Sequence, residues 1–228
     1  MTTSLSYLIM NLGRYSRIAS VGVAAYRYSY LLGPVRLFAA LETVGLVIVL
    51  YSQWLSKSNN TYLFFIETGI DAVVMSLMYA PLMPSLAWKR VAWAFAPVML
   101  LVLLADWLWY EGLQQQGNSY VAALECAGAI VLLTVYLNSL LASDRVASLR
   151  RHPMFVISLC LLLISLIAIP LYLFLPALMS YSMTLTLRAY DLMFLSAFLA
   201  HTGYAYAFWI TKAHTSLASK RVAQATSV

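Results

Sequence analysis

Apolar residues run along this chain in seven long stretches separated by short polar turns. Each is close to the ~20 residues that an α-helix needs to cross a hydrocarbon core. The predicted spans are Leu5–Tyr26, Pro34–Leu55, Thr61–Tyr79, Trp88–Tyr110, Tyr120–Ala142, Pro153–Leu175 and Thr184–Thr211. The turns are SKSNN at 56–60, the Pro81 to Pro84 segment, EGLQQQGNS at 111–119 and SDRVASLRRH at 143–152. The pattern predicts an all-α polytopic membrane protein with one seven-helix domain over residues 1–211 and a short basic tail over 212–228, too short for an effector domain. Pro170 predicts a kink or a helix end within the sixth span.

The first span is interrupted by Arg14 and Arg17. A signal peptide carries its positive charge ahead of the apolar run, not in its middle, so the segment reads as retained. The small-residue stretch Ala19 to Ala25 imitates a cleavage site and defines the alternative, a six-helix mature chain.

Composition agrees with the pattern. Of 228 residues 63% are hydrophobic and 10% charged, with mean hydropathy +0.82, outside the range of a soluble globular domain. The net charge of +6 does not point to nucleic acid, because the cations are scattered between spans without a basic-aromatic module. They follow the threading instead. Arg27, Arg36, Lys89, Arg90, Arg145, Arg150, Arg151, Lys212, Lys220 and Arg221 fall on one side and Lys57 on the other. The positive-inside rule then predicts N-terminus out and C-terminus in, in the inner membrane of a cell, which requires an odd number of spans.

Several chemistries are missing. There is no G-x-S-x-G elbow, no H-E-x-x-H pair and no phosphate-cradling glycine loop. Cys126 and Cys160 each lie inside an apolar span, which fits packing better than a disulfide or a zinc site. Lys212 sits at the inner end of the seventh span, where it is badly placed for a retinal Schiff base. No cofactor and no metal is implied.

What remains is a set of charges inside the spans. Glu67 and Asp71 are four residues apart and share a helix face. A charged carboxylate near the bilayer centre costs at least ~2.5 kcal/mol, so such groups face the interior or a water-filled cavity. With ~1.5 Å of rise per residue, Glu67, Asp106, Glu125 and Arg188 fall roughly 6–10 Å below the outer interface, and Arg14, Asp71 and Asp191 roughly 10–16 Å. Five helices thus place ionisable groups in the outer half. The functional reading is an outward-facing pocket lined by Glu67, Asp71, Asp106, Glu125, Arg188 and Asp191. In the plainer reading the charges pair with one another, Arg188 with Asp191 and Arg14 or Arg17 with Glu67 or Asp71, and only hold helices together. Glu42, nearer the middle of the second span, would extend a proton or ion path inward to His201.

Asn59-Asn60 followed by Thr68 and an acid at position 71, Leu124-Glu125, and Arg150-Arg151-His152-Pro153-Met154-Phe155 form a loop and helix pattern. It resembles an uncharacterised family of small bacterial seven-helix membrane proteins with no established activity. Asp71 stands where that pattern has Glu, and His152-Pro153 followed by Val156 where it has Asn-Pro and a Phe-Trp pair. The resemblance implies the fold and transfers no function.

The functional expectation is a sensor or receptor-like protein that binds a small ligand or cation in the outer pocket and signals to a cytoplasmic partner through Arg145, Arg150 and Arg151. The alternatives are a proton- or cation-coupled transporter, a carboxylate-dependent membrane lipid enzyme, and an accessory subunit of another membrane protein.

Overall fold

The computed structural model describes residues 2–54, 61–109, 119–143 and 148–225. Among them the chain is helical and without strands: α1 Thr2–Arg27, α2 Gly33–Trp54, α3 Thr61–Tyr79, α4 Leu86–Trp109, α5 Ser119–Leu141, α6 Pro153–Tyr181 and α7 Met183–Ala225. Six of the seven, α2 to α7, contain a segment long and apolar enough to cross a membrane. In α1 the two arginines and the polar residues around them lower the hydropathy, although its 26 residues make a rod of about 39 Å.

Turn chemistry sets the helix ends. Gly33, at φ +50°, turns the chain into α2, with Pro34 in the first turn, where a missing N–H leaves nothing unpaired. His152 caps α6 by accepting the Phe155 N–H on Nδ1 at 3.3 Å, and Pro153 follows in the first turn. The helix end expected near Pro170 is not found: α6 runs through Pro170 and Pro176 to Tyr181. A chain end there would strip backbone groups of partners in an apolar surrounding, which favours a continued helix with a local defect. The segment after Lys212, read from sequence as a separate tail, continues α7 as helix to Ala225.

Each helix packs on its neighbours in sequence, and α1 closes the ring against α7, its most extensive partner. Contacts of α3 with α5 and of α2 with α6 cross the ring. Half of the α3 span is buried, more than of any other, so α3 is the central helix. Gly13 makes the α1–α7 seam: a Cβ there would collide with the Phe194 backbone carbonyl. Beside Pro97, which has no N–H, α3 meets the α4 backbone, with the Ala96 N–H donating to Ser76 Oγ at 3.0 Å.

Two apolar clusters divide the interior. The larger joins the end of α1 and the start of α2 to the end of α3 and the later part of α7, with Phe38, Met78, Tyr79, Leu133, Tyr204 and Phe208 at its centre. The smaller lies toward the opposite end and holds Phe65, Ala72, Met99, Leu103 and Val121. Buried or half-buried ionisable groups adjoin these clusters along α1, α2, α3 and α7: Arg17, Glu42, Glu67, Asp71 and His201.

Candidate functional site

Arg17 leaves α1 in the middle of the bundle and reaches two helices at once. Its NH1 donates to Glu67 Oε1 of α3 at 3.0 Å, while its Nε lies 3.8 Å from Glu42 Oε1 of α2. The second separation is an ion pair but too long for a hydrogen bond, and among the described residues the buried Nε has no hydrogen-bond partner. Gly45 makes room for this crossing, since a Cβ at that position would collide with the Arg17 guanidinium.

Glu42 is the most enclosed member, 4% exposed. Its Oε2 lies 2.9 Å from the Ser20 hydroxyl, one turn along α1 from Arg17, and 2.9 Å from His201 Nδ1 of α7. The Ser20 hydroxyl is also 2.9 Å from the Arg17 carbonyl and has one proton to give. The His201 ring meets Tyr204 edge-on at 5.5 Å. Four helices are therefore joined in one line, Glu67–Arg17–Glu42–His201.

Two further carboxyl groups flank the line. Asp71, one turn beyond Glu67 on α3, is within electrostatic reach of Glu67, Arg17 and Glu42. Glu125 of α5 is within reach of Asp71 and Glu67 and has the Thr68 hydroxyl beside it. Tyr172 of α6 completes the surround, within reach of Glu125 and Glu67. Four carboxyl groups thus face one guanidinium and one imidazole. Charges this enclosed are tolerated only when compensated, so the surplus must be met by bound protons or by a cation.

The six residues assigned to an outer pocket divide into two sets. Glu67, Asp71 and Glu125 converge, joined by Arg17. Asp191 accepts the Ser6 hydroxyl at 2.6 Å and fastens the start of α1 to α7. Arg188 is exposed, and among the described residues no ion pair reaches it, so the Arg188–Asp191 pair does not form. Asp106, on α4, has a buried Oδ2 with no partner among the described residues and stands apart from the other acids. Glu42 and His201, read as an inward extension, are in direct contact with each other and with the Arg17 line.

Sequence reasoning missed Ser20, Gly45, Thr68 as a neighbour of Glu125, and Tyr172. Ser20 was within sight, three residues after Arg17 on the same face; Gly45 and Tyr172 carried no signal. Of the residues assigned to a cytoplasmic partner, Arg150 and Arg151 are exposed beside the start of α6, with the Arg150 carbonyl accepting from Tyr206 at 3.4 Å. Arg145, like Lys57 and Asn59-Asn60, lies outside the described residues.

A separate groove of about 700 Å³ runs between α3 and α4, lined by apolar side chains including Phe65, Ile70, Leu103 and Trp107. Among the described residues no group of three His, Cys, Asp or Glu is arranged to hold a metal ion. Comparison with models of protein families, with curated proteins and with solved structures gives no match to this chain.

Proposed function

We propose that this chain is a seven-span sensor of a bacterial inner membrane, N-terminus outside, in which a proton or small cation taken up by Glu67, Asp71 and Glu125 repartitions Arg17 between Glu67 and Glu42. The observation that carries this reading is the uneven hold on Arg17, 3.0 Å to Glu67 and 3.8 Å to Glu42. Neutralising Glu67 removes its advantage. Arg17 then closes on Glu42, competes with His201 for that carboxylate, and alters the contact between α2 and α7. A ligand shifts such an equilibrium only by its differential affinity for the two arrangements, and a charge placed beside Glu67 supplies that difference directly.

Two features support the threading and the output. α1 lies between α2 and α7 with its polar residues turned into the bundle, as a seventh span would. α7 has 43 residues, about 64 Å as a helix and longer than a bilayer of about 40–45 Å, so the helix holding His201 also extends beyond the membrane. There it meets a cytoplasmic partner, together with Arg150 and Arg151.

The test is a distance measurement between spin labels at Ala40 of α2 and Thr202 of α7, both exposed, in a background with Cys126 and Cys160 replaced by Ala. The protein is reconstituted in lipid nanodiscs, and the probes are protons and sodium. A distance distribution that changes with either probe, and that Arg17→Gln renders insensitive, is the expected result; an unchanging distribution removes the sensor. Proton- or cation-coupled transport is the second reading, favoured by the line Glu67–Arg17–Glu42–His201 with Asp71 and Glu125 beside its Glu67 end. It requires proton or sodium flux in proteoliposomes that Asp71→Asn abolishes.

A further inference from the structure

At the end of the bundle where α1 stops, Arg27 is only 8% exposed. Its guanidinium carbon sits 4.1 Å from the centroid of the Trp209 ring and 5.4 Å from that of Tyr26. Among the described residues no carboxylate lies within 4 Å of it, and its buried Nε has no hydrogen-bond partner. An arginine is permanently charged, and one this deeply enclosed is ordinarily paired. The aromatic faces compensate it in part, but they leave the donors at its edge without an acceptor.

A second arginine flanks the same turn. Arg36 donates from Nε to the Leu31 carbonyl at 3.0 Å, and its guanidinium lies 5.0 Å from the Tyr28 ring centroid. Two guanidinium groups therefore adjoin residues 28–32, Arg27 at the end of α1 and Arg36 in the first turn of α2. The same turn exposes Tyr26, Tyr28, Tyr30, Leu32 and, from α7, Trp209. Exposed tyrosine and tryptophan gather at the level of lipid headgroups. The apolar span of α2 begins at Gly33 and that of α7 ends at Thr211, which fixes the same level.

We propose that Arg27 and Arg36 form a binding site for the phosphate of an anionic phospholipid headgroup. Guanidinium forks match phosphate oxygens bidentately, and the phosphate supplies the acceptors that Arg27 lacks. Two fixed positive charges favour a headgroup of net negative charge over a choline headgroup, which brings its own cation. Exposed Leu32, between the two arginines in sequence, and Leu37, next to Arg36, offer the acyl chains an apolar surface.

The experiment is native mass spectrometry of the full chain in mild detergent, titrated with phosphatidylglycerol and, separately, with phosphatidylcholine. Wild-type protein should retain phosphatidylglycerol in preference. Arg27→Gln and Arg36→Gln should each weaken that retention about fivefold, the effect of one arginine at a lipid surface. The Lys89→Gln/Arg90→Gln double variant, which removes exposed cations on α4, should leave it nearly unchanged. If Arg27→Gln lowers the melting temperature sharply, the less buried Arg36→Gln decides. Equal retention of the two lipids, or an equal loss in the α4 variant, overturns the site in favour of diffuse surface charge. Full displacement of the lipid by inorganic phosphate overturns it in favour of a free-anion site.

Discussion

Gly45 of α2 lies directly beneath the guanidinium of Arg17 from α1, so closely that a single added carbon at residue 45 would occupy the position of the Arg17 terminal nitrogen. The consequence is specific to that side chain. The obstructing atom is the far end of a flexible arm, so the helices need not separate when Gly45 is enlarged. Gly45→Ala should therefore leave a folded bundle, destabilised by about 1–3 kcal/mol as is usual for overpacking, with the Arg17–Glu67 hydrogen bond lengthened. Thermal unfolding in detergent measures the cost. Combined with Glu67→Gln, the loss should be smaller than the sum of the single losses, because both act on Arg17; strict additivity would show that Gly45 does not position it.

Arg17 and Glu67 are 20% exposed on each side chain and make one short contact. Interhelical polar contacts in membranes are worth about 0.6 kcal/mol on average and up to about 1.7. A double-mutant cycle with Arg17→Gln and Glu67→Gln should give a coupling toward the upper end of that range. The same cycle with Arg17→Gln and Glu42→Gln should give less, since 3.8 Å is beyond hydrogen-bond length. Reversal of that order would mean that Glu42, not Glu67, holds the arginine.

His201→Ala removes the imidazole 2.9 Å from Glu42 Oε2 and leaves that oxygen with the Ser20 hydroxyl alone. Depriving a buried polar group of a partner costs about 1–3 kcal/mol, more when it is charged. His201→Asn keeps a donor and should recover part of that loss. If Ala and Asn unfold at the same temperature, packing against Tyr204 accounts for the His201 contribution.

Much of this was legible in the order of residues. Seven helices follow from apolar runs of about the length that a bilayer requires, and a pairing of Arg14 or Arg17 with Glu67 or Asp71 follows from acids and bases at neighbouring depth; the structure selects Arg17 with Glu67. Depth also brings Glu67 and Glu125 to one level, with Asp71 one turn deeper. It does not say which way a side chain faces around its helix. For that reason Asp191, at a matching depth, goes to Ser6 at the α1–α7 seam, Arg188 faces outward, and Asp106 stands apart on α4. Gly45 was invisible for a related reason: a glycine inside an apolar helix announces a close approach only once the approaching side chain is known. Of the two outcomes that Pro170 offered, a kink or a helix end, the end is excluded, because in an apolar surrounding no water is at hand for the freed backbone groups and the helix continues.

The two glycines at Gly13 and Gly69 separate packing from accommodation. A Cβ at Gly13 would strike the Phe194 backbone, which has no rotamer to give, whereas at Gly69 it would sit 3.5 Å from Leu100 and 3.6 Å from Leu103, ordinary contact distances. Gly13→Ala should lower stability by about 1–3 kcal/mol by forcing α1 away from α7. Gly69→Ala should be neutral or slightly stabilising, since alanine is the better helix former by about 1 kcal/mol. Equal melting temperatures for the two variants would contradict the tight α1–α7 seam.

Ser76 supplies the last test, because its partner is backbone rather than side chain. Pro97 has no N–H to give to the preceding turn of α4, and the Ala96 N–H beside it donates to Ser76 Oγ of α3. Ser76 is 1% exposed, so water cannot replace it. Ser76→Ala should cost about 1–3 kcal/mol, the penalty of an unsatisfied buried donor. Ser139→Ala is the control, since the Ser139 hydroxyl only returns to the Tyr136 carbonyl of its own helix and its loss should cost a few tenths. Should Ser76→Ala cost no more than Ser139→Ala, the α3–α4 contact at Ser76 is packing alone, and the hydrogen bond from Ala96 contributes nothing measurable.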